Sequence, residues 1–213
     1  MIDIQKSQKF LVQELGAILS NSSIIMESSS DFDLFSSLNV TKMTFKSAAV
    51  LVPITFENKE PMVVLTKRAK TLKEHSEHSG QIAFPGGKVE KEDSCEMETA
   101  IRESFEEINL GSLDINILGM LPKHLTITGY SISPFVAIIK NVKKMRPTPS
   151  EVSEIFQIPL EFLINKNNMQ MQDLKFNGPK RCYYAIPYGP YYIWGATARI
   201  IKTLSDLIEK MHE

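Results

Sequence analysis

Between Phe84 and Gly111 the chain reads FPGGKVEKEDSCEMETAIRESFEEINLG, and its acidic residues are spaced in a way that could do chemistry. Glu103, Glu106 and Glu107 stand at i, i+3 and i+4. On a helix this puts the three carboxylates within about 100° of one another. Like charges so close repel by roughly 0.2–0.5 kcal/mol per pair. A divalent cation removes that repulsion, and clustered hard oxygens suit Mg²⁺ or Mn²⁺. Arg102, four residues before Glu106, can bridge to it and fix its direction. Upstream, Pro85-Gly86-Gly87 lets the backbone close on an ion or a phosphate, because two glycines impose no side chain. Together these residues predict metal-assisted hydrolysis of a phosphate compound, the cation neutralising phosphoryl charge and activating water. A solvated acidic helix face is the competing reading, and it leaves the Gly-Gly loop at fixed distance unexplained.

These groups need a helix to hold them. It is expected to begin at Asp93 or Ser94, with Asp93 and Glu96 forming a capping box. It should end at Asn109–Gly111, where Asn and Gly tolerate the left-handed conformation. Met97, Ile101, Phe105 and Ile108 fall within an arc of roughly 80° and are expected to face the core, with the glutamates opposite.

The remaining elements follow from periodicity. A first helix is predicted over Ile4–Leu19, then a polar connector over Ser20–Ser37. AAVLVPITF (Ala48–Phe56) and MVVLTKR (Met62–Arg68) read as a strand pair across the polar turn ENKEP. Further strands are expected at Ile115–Leu121, Thr126–Ser131, Phe135–Ile139 and Cys182–Pro187. KKMRPTPSE reads as a loop, EIFQIPLEFLI as a short helical or extended piece, and Ala196–Met211 as a terminal structural helix. Strands and helices mix without regular βαβ alternation, so the expected fold class is α+β with a mixed sheet. The expected division is an N-terminal helix and connector, 1–46, and a main domain, 47–213.

The chain has 213 residues, 43% hydrophobic and 23% charged, which excludes disorder, collagen and coiled coil as the main description. With 24 Lys+Arg against 25 Asp+Glu the net charge is -1, so no nucleic-acid partner is expected. No stretch approaches the roughly 20 apolar residues of a membrane span, and the start lacks a signal peptide, so a cytoplasmic protein is expected. Cys95 and Cys182 form neither a disulfide framework nor a zinc site. His75 and His78 read as surface residues, and Trp194 with Tyr183, Tyr184, Tyr188, Tyr191 and Tyr192 as packing. Oligomeric state stays open.

The stretch from Gly87 resembles the Nudix box: Gly, five residues, Glu, seven residues, then Arg-Glu-hydrophobic-x-Glu-Glu-x-Gly-hydrophobic. Here Asp93 fills the first Glu position, Arg102 falls one residue late, and Ser104 and Asn109 fill the hydrophobic and Gly slots. The one-residue expansion is similar to the coenzyme A pyrophosphatase branch of the Nudix superfamily. VLTKRA (Val64–Ala69) and GQIAFPGG (Gly80–Gly87) resemble that branch's upstream signature. Between them the chain is three residues longer than the signature, with Lys73 or Ser76 in place of its second Arg. The similarity runs from about Ala48 to Ile201 and includes HLTITGYSISPFVAII, PSEVSEIFQIPLEFLI and YYAIPYGPYYIWGATARII.

The resemblance implies a Nudix α/β/α sandwich with a curved mixed sheet and a loop-helix-loop catalytic motif. It implies that Glu103, Glu106 and Glu107 hold Mg²⁺ or Mn²⁺, and that Glu106, Glu107 and Arg102 serve catalysis. The base that prepares the attacking water would be Glu106 or Glu107, or alternatively Glu151. Lys67, Arg68, Gly86, Gly87 and Lys88 would contact the substrate. The implied reaction is hydrolysis of coenzyme A, or an acyl-coenzyme A, to 3′,5′-ADP and 4′-phosphopantetheine. The alternatives are another nucleoside diphosphate derivative such as ADP-ribose, or a nucleotide sensor that does not cleave. Retention of the three glutamates and Arg102 argues against the sensor.

Overall fold

The structure is a computed structural model and describes residues 8–20, 27–34, 43–70, 80–174 and 181–210. His75, His78, Lys73 and Ser76 lie outside them. Helix α1 (Gln8–Ser20) and the short strand β1 (Ser29–Ser30) come first. Strands β2 (Lys46–Glu57) and β3 (Glu60–Arg68) then form a hairpin. Its turn residues Asn58 and Lys59 have φ of 49° and 74°, the left-handed pair that matches the twist of a tight two-residue hairpin. Two short strands, β4 (Ile82–Ala83) and β5 (Gly86–Lys88), lead into helix α2 (Glu96–Ile108). Strands β6 (Ile115–Met120), β7 (His124–Leu125), β8 (Tyr130–Ile139) and β9 (Val152–Pro159) follow. The chain closes with α3 (Leu160–Ile164), β10 (Gln170–Leu174), β11 (Arg181–Tyr188), β12 (Tyr191–Trp194) and α4 (Ala196–Lys210).

β1 to β9 make one mixed sheet, in which β2 lies parallel to β8 over nine residue pairs. β9 pairs with β3, β5 with β2, and β6 and β7 with β8, all antiparallel. β10, β11 and β12 form a second, antiparallel sheet. The pleat sorts the large sheet into two apolar faces. Val52, Ile54, Val63, Leu65, Val136 and Ile158 share one core with α1, α3 and α4. Ala49, Leu51, Val64, Ala137 and Val152 meet Ala100 and Ile108 of α2 on the other. Helices on both faces make the three-layer α+β sandwich expected from the sequence. No helix among the described residues is long and apolar enough to cross a membrane.

One expectation changes. Thr126–Ser131 is not a continuous strand, because Thr126 and Tyr130 bond each other across a turn: Thr126 N–H donates to the Tyr130 carbonyl at 2.8 Å, and Tyr130 N–H to Thr126 Oγ1 at 3.0 Å. Gly129, with φ of 85°, lets the chain reverse there, so β8 starts at Tyr130. EIFQIPLEFLI is both of the forms expected: a strand to Pro159 and then a helical turn. The α1 side chains Leu11, Leu15, Ile18 and Leu19 are buried in the main core. Gly119 of β6 accommodates this packing, since a Cβ there would lie 2.7 Å from Leu19 Cβ.

Candidate active site

Three stretches of chain converge at one end of the sheet. The first is α2, which differs from expectation at both its start and its facing. It begins at Glu96 with Cys95 as N-cap and no side-chain cap, so the Asp93–Glu96 capping box does not form. The Asp93 carboxylate is engaged elsewhere, accepting from Glu90 N–H and Thr99 Oγ1 and holding Arg102 in a two-pronged pair. The end is as expected: Asn109 is left-handed, and the Asn109 and Leu110 N–H groups donate to the Phe105 and Ser104 carbonyls at 2.9 and 3.2 Å.

The expected core stripe also fails in part. Ile108 is buried, but Phe105 is 57% and Met97 38% exposed. The buried arc is instead Thr99, Ala100, Ser104, Glu107 and Ile108, a rotation of about 110° from the stripe. The rotation turns Glu103 and Glu107 toward the sheet, and it is possible because the segment beneath them has no side chain. A Cβ on Gly87 would lie 2.2 Å from Glu103 Oε1. Ser104, in a slot expected to be hydrophobic, is fully buried and donates to the Ala100 carbonyl at 2.7 Å.

The second stretch is β5 and the residues before it. Leu51 N–H donates to the Pro85 carbonyl at 2.9 Å, and Gly86 N–H donates to Glu107 Oε2 at 3.3 Å. The Lys88 carbonyl accepts from Arg102 Nη2 at 3.2 Å, tying this segment to the helix. The third is the end of β3 with the loop before β9. Arg68 Nη1 lies 3.8 Å from Glu107 Oε1. Ala69 N–H donates to the Glu151 carbonyl at 2.8 Å, and Thr148 N–H to the Glu107 carbonyl at 2.9 Å, so the loop is stitched to both strand and helix.

Glu103, Glu107 and Glu151 can thereby bring one carboxylate oxygen each to within 4.8 Å of one another. Glu106 stands apart from this trio, 49% exposed, with its Oε2 3.0 Å from Arg102 Nη1. Lys67, on the strand face opposite Arg68, uses its carbonyl to accept from Ser153 Oγ at 3.0 Å. The exposed Lys88 ammonium stands 5.8 Å from the Tyr130 ring centroid. Asp93 as the partner of Arg102 was not read from the sequence, although its place at the first Glu of the box was the available signal.

Burial dominates the electrostatics. It pushes the Glu107 carboxyl from the ordinary 4.5 up to about 7, with Arg68 opposing and Glu103 adding to the rise. Burial raises Glu103 in the same direction against the pull of Arg102. The Arg102 guanidinium beside Asp93 holds that carboxyl well below the usual range, so the clamp stays charged. Three clustered carboxylates, two of them held back from ionising by burial, beside a segment without side chains, fit a hard divalent cation.

Between about pH 4.5 and 7, folded Glu107 keeps a proton that the unfolded chain has released. Its contribution is therefore complete below about 4.5 and lost as pH rises through about 7, on the order of 3 kcal/mol. Urea unfolding in EDTA should show the wild type losing stability from pH 5 to pH 8 relative to Glu107→Gln, with Mg²⁺ restoring it at pH 8. Parallel pH profiles for the two proteins would contradict the burial of this carboxylate.

Comparison with known proteins shows the family of the chain. The NUDIX domain model matches residues 45–176. A protein named uncharacterized Nudix hydrolase NudL from Photorhabdus laumondii is 34% identical over 164 residues, covering 77% of this chain and 86% of the relative. The NudL of Escherichia coli K12 is 33% identical over 168 residues, covering 79% and 85%. A Nudix hydrolase from M. smegmatis, RenU, is 18% identical with a TM-score of 0.45, over 55% of this chain and 71% of that one. By its domain match and these two relatives, the chain belongs to the Nudix family and is a Nudix hydrolase.

Proposed function

We propose that the protein hydrolyses the diphosphate of coenzyme A, or of an acyl-coenzyme A, to 3′,5′-ADP and 4′-phosphopantetheine. The observation that carries the reading is the pairing of the VLTKRA and GQIAFPGG segments with the acidic trio. VLTKRA carries Arg68, 3.8 Å from Glu107, and GQIAFPGG ends on the glycine under Glu103.

Glu103 and Glu107 would hold Mg²⁺ or Mn²⁺, with Glu151 closing the third side. When bound, the ion supplies charge neutralisation at the phosphoryl oxygens and a template for water and phosphate. Arg102, gripped by Asp93, fixes Glu103 through a 3.1 Å bond from Nη1 and keeps Glu106 on the rim. Arg68 and Lys88 present cations to the diphosphate. The oxygen of water attacks one phosphorus, the bridging P–O bond breaks, and the proton leaves to a carboxylate oxygen of Glu151. Glu151 is the solvent-open member of the trio and the one outside the helix.

The reading is tested by incubating the purified protein with Mg²⁺, and then Mn²⁺, on coenzyme A, ADP-ribose and a dinucleoside polyphosphate. Release of 3′,5′-ADP well above the other two rates supports it. Preference for another diphosphate overturns the substrate and keeps the chemistry. Cleavage of none brings the sensor forward.

A further inference from the structure

On the same face of the sheet, one polar constellation remains outside the machinery above. Ser133 lies in the middle of β8 and is fully buried, yet its hydroxyl donates to Glu96 Oε2 at 2.7 Å. The other oxygen of Glu96 accepts from Lys123 Nζ, also at 2.7 Å. Lys123 keeps 39% of its side chain exposed. Its backbone is fixed as well, the Lys123 carbonyl accepting from Ser29 N–H at 2.9 Å. Burial works against ionisation of Glu96, but Lys123 and Ser133 outweigh it and hold the carboxyl below its usual value.

Two routes locate this ammonium relative to the acidic trio. Glu96 precedes Glu103 by seven residues. That is about two turns, returning to the same helix face with a rise of about 10 Å. Across the sheet, Ser133 pairs with Ala49 and Ala49 with Gly87. Two strand spacings also amount to about 10 Å. The sheet end that carries Gly87 is ringed by other cations, with Lys46 opening β2, Lys67 and Arg68 closing β3, and Lys88 in β5. Lys123 differs from them in being aimed by a carboxylate that is itself anchored by a buried hydroxyl.

The fold alone gives no reason for this arrangement. Neighbouring positions on that face of β8 are Phe135 and Ala137, packed in the apolar core. The start of α2 is already stitched by Asp93 to Thr99 and Arg102. An acid–base pair set on a buried hydroxyl costs desolvation that an apolar contact would avoid.

We propose that Lys123, positioned by Glu96 and Ser133, is a specificity residue that receives a second phosphate carried on the ribose of the substrate, the 3′-phosphate of coenzyme A. The proposal rests on the coenzyme A reading. An ammonium about one nucleotide's reach from the trio complements a phosphate that stands apart from the diphosphate on the same nucleotide. Lys123 thus distinguishes coenzyme A from 3′-dephospho-coenzyme A, whose diphosphate is identical, and has no part in bond cleavage.

The test is steady-state hydrolysis of both compounds with Mg²⁺ by wild type, Lys123→Ala and Ser133→Ala, each checked by thermal unfolding. Wild type should favour coenzyme A. Lys123→Ala should raise KM for coenzyme A roughly ten- to hundredfold, the range of a charged hydrogen bond, with kcat and the dephospho substrate within about twofold. Ser133→Ala should move the same preference in the same direction by less. Equal losses on both substrates would show a structural strut and overturn the assignment. An unchanged preference in Lys123→Ala, or a wild type that takes both compounds equally, would overturn it while leaving coenzyme A as substrate. A wild type inactive on both but active on another diphosphate would remove the coenzyme A reading and Lys123's role with it.

Discussion

Glu107→Gln is expected to lower kcat by roughly 10³-fold or more while the protein stays folded. Glu107 is 3% exposed, receives the Gly86 N–H, faces Arg68, and has its own backbone carbonyl tied to Thr148. The amide keeps the shape and removes the charge, so the loss reads the charge and not the packing. Glu151→Gln should show a comparable fall, because its oxygen belongs to the same trio. Glu106→Gln should cost less than about tenfold, as an exposed ion pair with Arg102 is worth at most about 1 kcal/mol. Initial rates with saturating Mg²⁺ rank the three variants. A Glu106 effect as large as that of Glu107 would move the ion to the outer side of the helix.

The second large effect is expected from Gly87→Ala. The new Cβ would sit 2.2 Å from Glu103 Oε1 and 2.5 Å from its carboxyl carbon, so the carboxylate must leave its place. The three nearest heavy atoms all belong to the Glu103 carboxylate, the tip of a flexible side chain, so the fold should tolerate the change. Misplacement of a catalytic group by about 1 Å costs on the order of 10²-fold in rate. Gly111→Ala is the control, with nothing within 4 Å of its Cβ, and should be near wild type in activity. Circular dichroism with kcat/KM measures both. Full activity in Gly87→Ala would mean Glu103 does not work from the position seen here.

The chemistry was more legible in the sequence than the orientation of the helix that carries it. Glu103, Glu107, Arg102 and the Gly86-Gly87 pair can be read directly, because their identities and spacing are local. The facing of α2 cannot. Counting apolar residues on a wheel assumes that the helix buries its most hydrophobic arc. Here Gly87 and the Gly86 N–H offer a polar, side-chain-free seat, and the helix turns its acids into it, leaving Phe105 and Met97 outside. A local capping rule likewise assigned Asp93 to the helix start, whereas Arg102, nine residues away, competes for it with two bonds.

Long-range partners were the other blind spot. Glu151 joins the site only because Ala69 and Thr148 hold its loop against β3 and α2, and no period in the sequence announces that. Ser133 falls between the strands expected at Thr126–Ser131 and Phe135–Ile139, and its bond to Glu96, 37 residues away, has no local signal. The strands Gln170–Leu174 and Tyr191–Trp194 escaped notice because each is short and finds its partner in β11. Both long strands of the hairpin and the terminal helix, with their strong periodicity, were legible within a residue or two.

The most direct test is an anomalous difference map from a crystal of the protein soaked with Mn²⁺. The expected result is a peak bounded by the Glu103, Glu107 and Glu151 carboxylates, above the Gly86–Gly87 segment. A peak on Glu106 away from that trio, or no peak at Mn²⁺ concentrations that support hydrolysis, would contradict the account.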